Sequence, residues 1–270
     1  MAPHPRYDEP FFWWGPGWDD RPAPRIEALL RDGTLDSWYG AVLWAAMSRR
    51  ISLVIVSEPS GAGKTTLLTA LLDFLPPRTR RIYLRGSFET FSFLTDPAVE
   101  PQAAVLLVNE ISPHLPVYLW GDAVDRVLEA TGRGYMILAT AHARGAQDFV
   151  GMLTGSPLRI AAPKIASFAL VVVMESPAVP GRGGRVASIW PLTATREGLA
   201  IEPFSPDSEH NISPKQKAPD GASYPTWVDP SDLLWRRRIL DDVREGRLAR
   251  IPHMLPESET AGEPYSATTP

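Results

Sequence analysis

The sequence has no cysteine and only five histidines among its 270 residues. Without cysteine, the chain can form neither disulfide bonds nor thiolate metal sites. The histidines are scattered, and none form a pair at the spacing typical of metal ligands. We therefore expect no structural metal ion.

Long apolar runs are also missing. The longest strongly apolar stretch, "FALVVVM" at 168–174, is far shorter than the roughly 20 residues that a membrane-spanning helix requires. The N-terminus carries acids and prolines where a secretory signal would have a basic start followed by an apolar helix. With 44% hydrophobic residues the chain can still bury a core, so we predict a globular cytoplasmic protein.

A strong excess of basic residues is likewise absent. The formal net charge is −4, which gives no general attraction to nucleic acid or to anionic lipid. The sequence also lacks a strip of interleaved basic and aromatic residues. We therefore expect no nucleic-acid partner.

What the sequence does contain is an alternation of apolar runs and amphipathic stretches between residues 51 and 154. This alternation is typical of βαβ units on a parallel sheet. After Pro163 it gives way to strand patterns alone, which indicates antiparallel additions at the C-terminal side. The fold class predicted is α/β. Predicted helices span 23–32, 37–49 (capped by Asp36 or Ser37), 64–74, 117–131, 145–154 and 230–246, and predicted strands span 51–57, 81–85, 103–109, 135–140, 167–174, 185–190 and 199–203.

The segment "SEPSGAGKTT" at 57–66 follows the first apolar run and precedes an amphipathic stretch. Glycines in such a loop let backbone N–H groups turn toward a phosphate. In this pattern Lys64 would reach the β- and γ-phosphates, and the Thr65 hydroxyl would bind Mg²⁺. The alternative is a chance glycine turn between strand and helix. The sequence thus predicts a site for ATP and Mg²⁺ formed by Ser60, Gly61, Ala62, Gly63, Lys64, Thr65 and Thr66.

Two further polar residues follow predicted strands. Glu110 ends the run "AAVLLVNE", where a carboxylate can orient a water for attack on the γ-phosphate or hold Mg²⁺. His142 follows the strand in "GYMILATAHA", on the edge of the sheet where ligands bind. There it could sense the γ-phosphate. The alternatives are a solvated acid at a strand end and a structural histidine.

In their order, the phosphate loop, "VLLVNE" and "ATGRGYMILATAHA" resemble the secretion and pilus-motor ATPases, most closely the branch that serves type IV secretion and Flp-type pili. The resemblance covers about residues 30–204. It implies a RecA-like P-loop core, a hexameric homo-oligomer, a membrane-protein platform as partner, and a peripheral position at the inner face of the cell membrane. By the same resemblance, Glu110 matches the Walker B glutamate and His142 matches the histidine of the family's histidine box.

Several positions depart from the family pattern. Glu58 stands where the loop normally begins with glycine, and Asn109 replaces the glycine before the Walker B glutamate. Gly86 and Ser87, with Glu89 displaced, occupy the place of an acidic pair. Met152 stands where an arginine is expected, and the folded N-terminal domain of the family is expected to be missing.

These features divide the chain into five predicted segments and leave two functions open. The first is an ATPase that couples hydrolysis to protein export or pilus assembly. The second is a regulatory or assembly subunit that binds nucleotide but hydrolyses it poorly. Arg182 and Arg185 are either arginine fingers for a neighbouring subunit or solvated turn residues. The segments are 1–22 (rich in aromatic residues and proline), 23–204 (ATPase domain), 205–229 (flexible linker), 230–252 (amphipathic helix) and 253–270 (disordered tail).

Overall fold

A computed structural model describes residue 7 and residues 24–58, 61–176, 184–204 and 229–252. Seven strands form one sheet in the order β2-β3-β4-β1-β5-β6-β7. The first five strands are mutually parallel, and β6 and β7 are added antiparallel at one side. The strands are β1 Leu53–Val56, β2 Arg80–Tyr83, β3 Ala104–Ile111, β4 Met136–Ala141, β5 Leu170–Glu175, β6 Arg185–Thr195 and β7 Gly198–Ile201.

The helices cover both faces of this sheet. Asp36 caps the second helix, since its Oδ1 accepts a hydrogen bond of 2.8 Å from Tyr39 N. Of the segments predicted from the sequence, the aromatic run at 11–18, the linker up to residue 228 and the tail from 253 lie outside the described residues. The helices are α1 Ile26–Arg31, α2 Ser37–Ser48, α3 Lys64–Leu71, α4 Asp122–Thr131, α5 Ala146–Thr154, α6 Ala162–Ile165 and α7 Pro230–Arg244.

The central strand β1 shows why the sheet is buried on both sides. Its four residues are all fully buried, and their side chains alternate between two cores. Leu53 and Ile55 belong to the core formed with α1, α2, α3 and α7, whereas Val54 and Val56 belong to the core formed with α4, α5 and α6. A continuous apolar strand of this kind is typical of a parallel sheet covered by helices.

The C-terminal helix α7 packs on α1 and α2. Leu233, Leu240 and Val243 are fully buried on its inner face. Arg236 lies over the ring of Trp44, with its guanidinium carbon 4.8 Å from the ring centroid. This helix therefore contributes to the core that supports β1.

One helix boundary predicted from the sequence is wrong. The helix expected at 117–131 begins at Asp122, because Leu119 instead pairs beside the end of β3 and donates its N–H to the Glu110 carbonyl at 2.8 Å. Gly121, with φ of +66°, then turns the chain into the helix. An apolar residue at helical spacing can equally serve as a short strand pairing, and the periodicity does not separate the two.

The fold class predicted from the sequence is confirmed: an α/β core with a mostly parallel sheet flanked by helices and antiparallel additions at its C-terminal side. The strand order places the carboxyl ends of β1, β3 and β4 at one edge of the sheet. Among the described residues, none of the helices combines the length and apolar character needed to span a membrane.

Candidate nucleotide site

The loop between β1 and α3 has the backbone shape that its glycines predict. Gly61 and Gly63 both have left-handed conformations, with φ of +83° and +92°, which other residues adopt only at a cost. Gly63 directly precedes the first helical residue, Lys64. The N-terminus of α3 therefore faces the loop, and such an end favours a bound anion. Ser60, predicted as part of the site, lies outside the described residues.

Lys64 is unusually buried for a lysine. Its exposed fraction is 6%, and its Nζ lies 3.5 Å from the carbonyl oxygen of Ser57. Burial lowers the pKa of Lys64, although the carboxylate of Glu110 acts in the opposite direction. A buried ammonium group with so long a hydrogen bond is only weakly compensated, and a bound anion would compensate its charge.

The remaining loop residues lie where the sequence predicts them. Ala62 is buried, and Thr65 and Thr66 are half-buried in the first turn of α3. The carbonyl oxygen of Thr65 accepts a hydrogen bond of 2.7 Å from the Thr69 hydroxyl. Thr65 thus lies in the first turn of the helix that follows the loop, the position that the predicted Mg²⁺ contact requires.

Glu110 lies one residue before the end of β3, close to the strand end where the sequence places it. The register between β3 and β4 shifts between Val108 and Ile111, which marks a β-bulge at Asn109 and Glu110. Asn109 is half-buried and its carbonyl accepts a hydrogen bond from Thr140. Bulges of this kind redirect side chains beside functional sites. The Glu110 side chain is buried, with 7% exposed.

Burial and nearby charged groups act in opposite directions on the pKa of the Glu110 carboxyl group. Burial raises the pKa of its carboxyl group, and the nearby His142, Lys64 and His114 partly oppose this effect. Its Oε1 atom is fully buried and has no hydrogen-bond partner in the described part of the chain. Such an orphaned buried oxygen is rare, and at a functional site it indicates a missing ligand or reacting group.

His142 lies next to Glu110, as the two strand ends predict. Its Nε2 is 3.1 Å from Glu110 Oε1, and its Nδ1 is 3.2 Å from the carbonyl oxygen of Glu58. The sheet edge therefore brings the phosphate loop, the acid and the histidine together. His114, on the loop after β3, also reaches this group, with its ring centroid 5.8 Å from that of His142. His114 could not be identified from the sequence, because the loop after β3 shows no periodic pattern.

Glu58, the departure at the start of the loop, points outward. Its side chain is 67% exposed and lies 3.8 Å from the guanidinium Nε of Arg144, which is 72% exposed. An arginine of the same chain therefore lies beside this acid. The pair is too exposed to contribute much stability.

The structure explains the departure at Gly86. A Cβ atom added there would lie 2.4 Å from the carbonyl carbon of Val117, so no side chain fits. Ser87 is exposed and donates its N–H to the Pro116 carbonyl at 2.8 Å. Glu89 accepts hydrogen bonds from the backbone N–H groups of two neighbours, at 3.1 and 2.8 Å. Its carboxylate therefore stabilises a local turn.

Met152 and Arg185, which were also named from the sequence, have ordinary surroundings. Met152 is half-buried and packs against the core beneath α5. Arg185 is 71% exposed and forms an ion pair of 3.1 Å with Glu175 across the start of β6. Arg182 lies outside the described residues. A role of either arginine toward a neighbouring subunit stays a prediction.

These residues fit a nucleoside triphosphate with Mg²⁺. Two left-handed glycines shape the loop, a buried lysine with a weak hydrogen bond stands at its end, and a buried carboxylate with an unsatisfied oxygen faces it. Lys64 and the loop N–H groups would hold phosphate oxygens, and Thr65 and Glu110 would hold the metal ion or its water.

Comparison with known proteins adds two likenesses of fold. No protein-family profile and no curated protein matches the chain. Among solved structures, the chain is similar to the VirB11 ATPase of the Brucella suis type IV secretion system in complex with sulphate. The sequence identity is 17% and the TM-score is 0.42, and the match covers 57% of this chain and 52% of the VirB11 chain. It is also similar to the Legionella pneumophila ATPase DotB, with 15% identity and a TM-score of 0.37, over 82% of this chain and 58% of that one. The chain thus matches little more than half the length of each, and the activities of those proteins are not transferred to it by this likeness.

Proposed function

We propose that this protein binds ATP with Mg²⁺ and hydrolyses it as a motor of the secretion and pilus-assembly kind. The observation that carries the proposal is the convergence of the Gly61–Lys64 turn, Glu110 and His142 at one edge of the sheet. Lys64 and Glu110 interact electrostatically, so the anion-binding and water-activating groups serve one site. The order of these motifs along the chain supports the motor assignment.

The chemistry follows from the positions of the side chains. Lys64 binds the β- and γ-phosphates and stabilises negative charge as the γ-phosphate is transferred. Thr65 and Glu110 are the residues that would hold Mg²⁺, which would supply positive charge to neutralise the phosphates. Glu110, whose buried Oε1 has no hydrogen bond, would orient the attacking water, and His142, whose Nε2 lies 3.1 Å from that oxygen, would position the carboxylate.

A second candidate function is a regulatory or assembly subunit that binds nucleotide without rapid hydrolysis. It is favoured by one observation: Gly86 has no room for the acid found there in the resembling family, and Glu89 is engaged in its own turn. If that acid is needed for chemistry, this chain would bind ATP and release phosphate slowly.

Assembly forms part of the proposal. Arg144, near the loop, and Arg185, at the start of β6, are both exposed and could reach a neighbouring subunit. We therefore propose that a homo-oligomer, a hexamer by resemblance, or a mixed ring with a longer relative completes the site. A membrane-protein platform would be its partner, which implies a cytoplasmic protein at the inner face of the membrane.

The test is to measure ATP-Mg²⁺ binding by calorimetry and phosphate release as a function of protein concentration, with light scattering on the same samples. We expect binding by the dilute protein and a turnover per subunit that rises as larger assemblies form. Absence of binding would refute the site itself. Full activity of a strictly monomeric protein at every concentration would refute the assembly proposal alone.

A further inference from the structure

Glu110, His114 and His142 form a cluster with the composition of a transition-metal site. One ligand atom from each residue lies within 4.8 Å of the other two. Glu110 is buried, His142 is half-buried and His114 is exposed. One carboxylate and two imidazoles are a known ligand set for zinc, and they leave a fourth position open for water or another ligand.

The hydrogen bond of His142 fixes which nitrogen is free to bind. Its Nδ1 lies 3.2 Å from the Glu58 carbonyl oxygen. Because a carbonyl can only accept, Nδ1 carries the hydrogen, and in the neutral ring Nε2 then presents a lone pair. An imidazole held through Nδ1–H by a backbone carbonyl is the usual arrangement of a histidine that ligates a metal through its other nitrogen.

That lone pair faces a second acceptor. Nε2 lies 3.1 Å from Glu110 Oε1, and because neither atom carries a hydrogen in this state, the contact is not a hydrogen bond and the buried oxygen stays without one. Two ligands of a tetrahedral zinc ion, each about 2.0–2.2 Å from the metal, are about 3.3–3.6 Å apart and aim at the metal and not at one another. The observed pair is close to that separation.

His114 supplies the third ligand. Its backbone N–H donates to the Ser112 hydroxyl at 3.2 Å, which holds the loop after β3 near the strand end. The side chain is exposed, so it can rotate toward the other two without displacing packed residues. Imidazole nitrogen is a ligand that zinc accepts readily and that Mg²⁺ does not favour.

We propose that Glu110, His114 and His142 bind a zinc-class transition-metal ion, and that this ion blocks nucleotide turnover by engaging Glu110 and His142. The metal-binding part does not depend on the proposed ATPase function, because the three ligands need no nucleotide. The blocking part rests on that function. The ion would link phosphate release to the supply of free zinc.

The metal-binding part is tested by calorimetry of the full chain with zinc chloride, without nucleotide. We expect one site per chain, with affinity weakened at least about 10-fold in His114→Gln and His142→Gln. The matched control replaces the other three histidines, His4, His210 and His253, by glutamine and should bind zinc as the wild type does. Circular dichroism establishes that each variant is folded, and Co²⁺ absorbance reports whether the bound ion has few ligands and low symmetry.

The outcomes separate clearly. No zinc binding by the wild type, or equal affinity in the wild type and both single variants, overturns the site. Loss of binding in the triple control but not in the single variants overturns it as well. The blocking role is tested by the effect of zinc on phosphate release, with each protein compared with its own zinc-free rate. If zinc binds as proposed but lowers this rate equally in the wild type and in His114→Gln, the blocking role is wrong. A protein that binds zinc at this site and releases no phosphate under any condition contradicts the proposed ATPase function and leaves the metal site standing.

Discussion

Replacing Lys64 with methionine should change stability and nucleotide affinity in opposite directions. The substitution removes the ammonium group and keeps most of the side-chain volume. In the nucleotide-free protein this group is 6% exposed, and its Nζ lies 3.5 Å from the Ser57 carbonyl oxygen. Burial lowers the pKa of Lys64 and Glu110 opposes this effect only in part, so the folded protein holds the charge at a cost that a bound anion would offset.

The expected magnitudes follow from the two environments. A hydrogen bond to a charged group contributes about 1.5–3 kcal/mol, so the dissociation constant for ATP-Mg²⁺ should rise about 10- to 150-fold. Burying a polar group without full compensation costs about 1–3 kcal/mol in proteins. Lys64→Met should therefore raise the melting temperature of the nucleotide-free protein, by about 2–4 °C for each kcal/mol gained.

The stability gain should depend on pH in a defined direction. Below the lowered pKa of the folded state, Lys64 is charged in both states and the full cost of burial is present. Between that pKa and the ordinary value of 10.5, the unfolded chain binds more protons, so the wild type becomes more stable as pH rises. The advantage of Lys64→Met is therefore largest at neutral pH and shrinks toward pH 10.5.

The assay combines thermal unfolding without nucleotide and calorimetric titration with ATP-Mg²⁺. The control is Lys164→Met, because Lys164 forms surface ion pairs of 2.6 and 2.9 Å with Asp125 and Glu129. This control should keep wild-type affinity and gain no stability. The reasoning is refuted if Lys64→Met binds nucleotide like the wild type, or if it unfolds below the wild-type temperature in the absence of nucleotide.

Four further expectations concern single positions. Glu110→Gln should stabilise the nucleotide-free protein, because burial raises the pKa of Glu110 and the folded wild type therefore holds the ionised carboxylate at a cost. The unfolded chain ionises this group in the ordinary carboxyl range, so the higher melting temperature of the variant should appear only as the pH rises above that range. Gly86→Asp should lower the free energy of unfolding in urea by more than about 2 kcal/mol, because its Cβ would lie 2.4 Å from the Val117 backbone, whereas an unchanged midpoint would contradict that contact. Leu240→Ala, fully buried on α7, should cost about 2–5 kcal/mol in the same assay, and a loss below about 1 kcal/mol would mean that the helix is not part of the core. Glu58→Gln should tighten ATP binding less than about 5-fold, with a difference that vanishes in high salt, because the side chain is 67% exposed.

Much of the fold could be predicted because the β-strands are short apolar runs between amphipathic stretches. The run at 51–57 and the glycine loop after it determine a strand, a turn and a helix with little ambiguity, and the strand is found at Leu53–Val56. The start of the helix at Asp122 could not be predicted, because Leu119 fits a helical period and yet pairs with a strand. The local pattern is the same in both cases, and only the tertiary partner differs.

The candidate site divides along the same line. Residues within the loop motif and at strand ends, such as Lys64 and His142, could be placed because strand ends of a parallel sheet meet at one edge. The bulge at Asn109 and Glu110 could not be anticipated, since it depends on the register between β3 and β4. His114 lies in an irregular loop, and only the folded chain shows that it reaches Glu110 and His142.

Comparing phosphate release by the wild type and Glu110→Gln tests whether Glu110 activates water at the site that also binds ATP. Phosphate release from ATP-Mg²⁺ is measured for the wild type and Glu110→Gln at equal nucleotide occupancy, with Glu129→Gln, an exposed acid on α4, as the control. We predict Mg²⁺-dependent release by the wild type and by Glu129→Gln, and a rate at least about 10-fold lower for Glu110→Gln with its ATP affinity retained. Release by Glu110→Gln at the wild-type rate, or a wild type that binds ATP and releases no phosphate, would contradict the account.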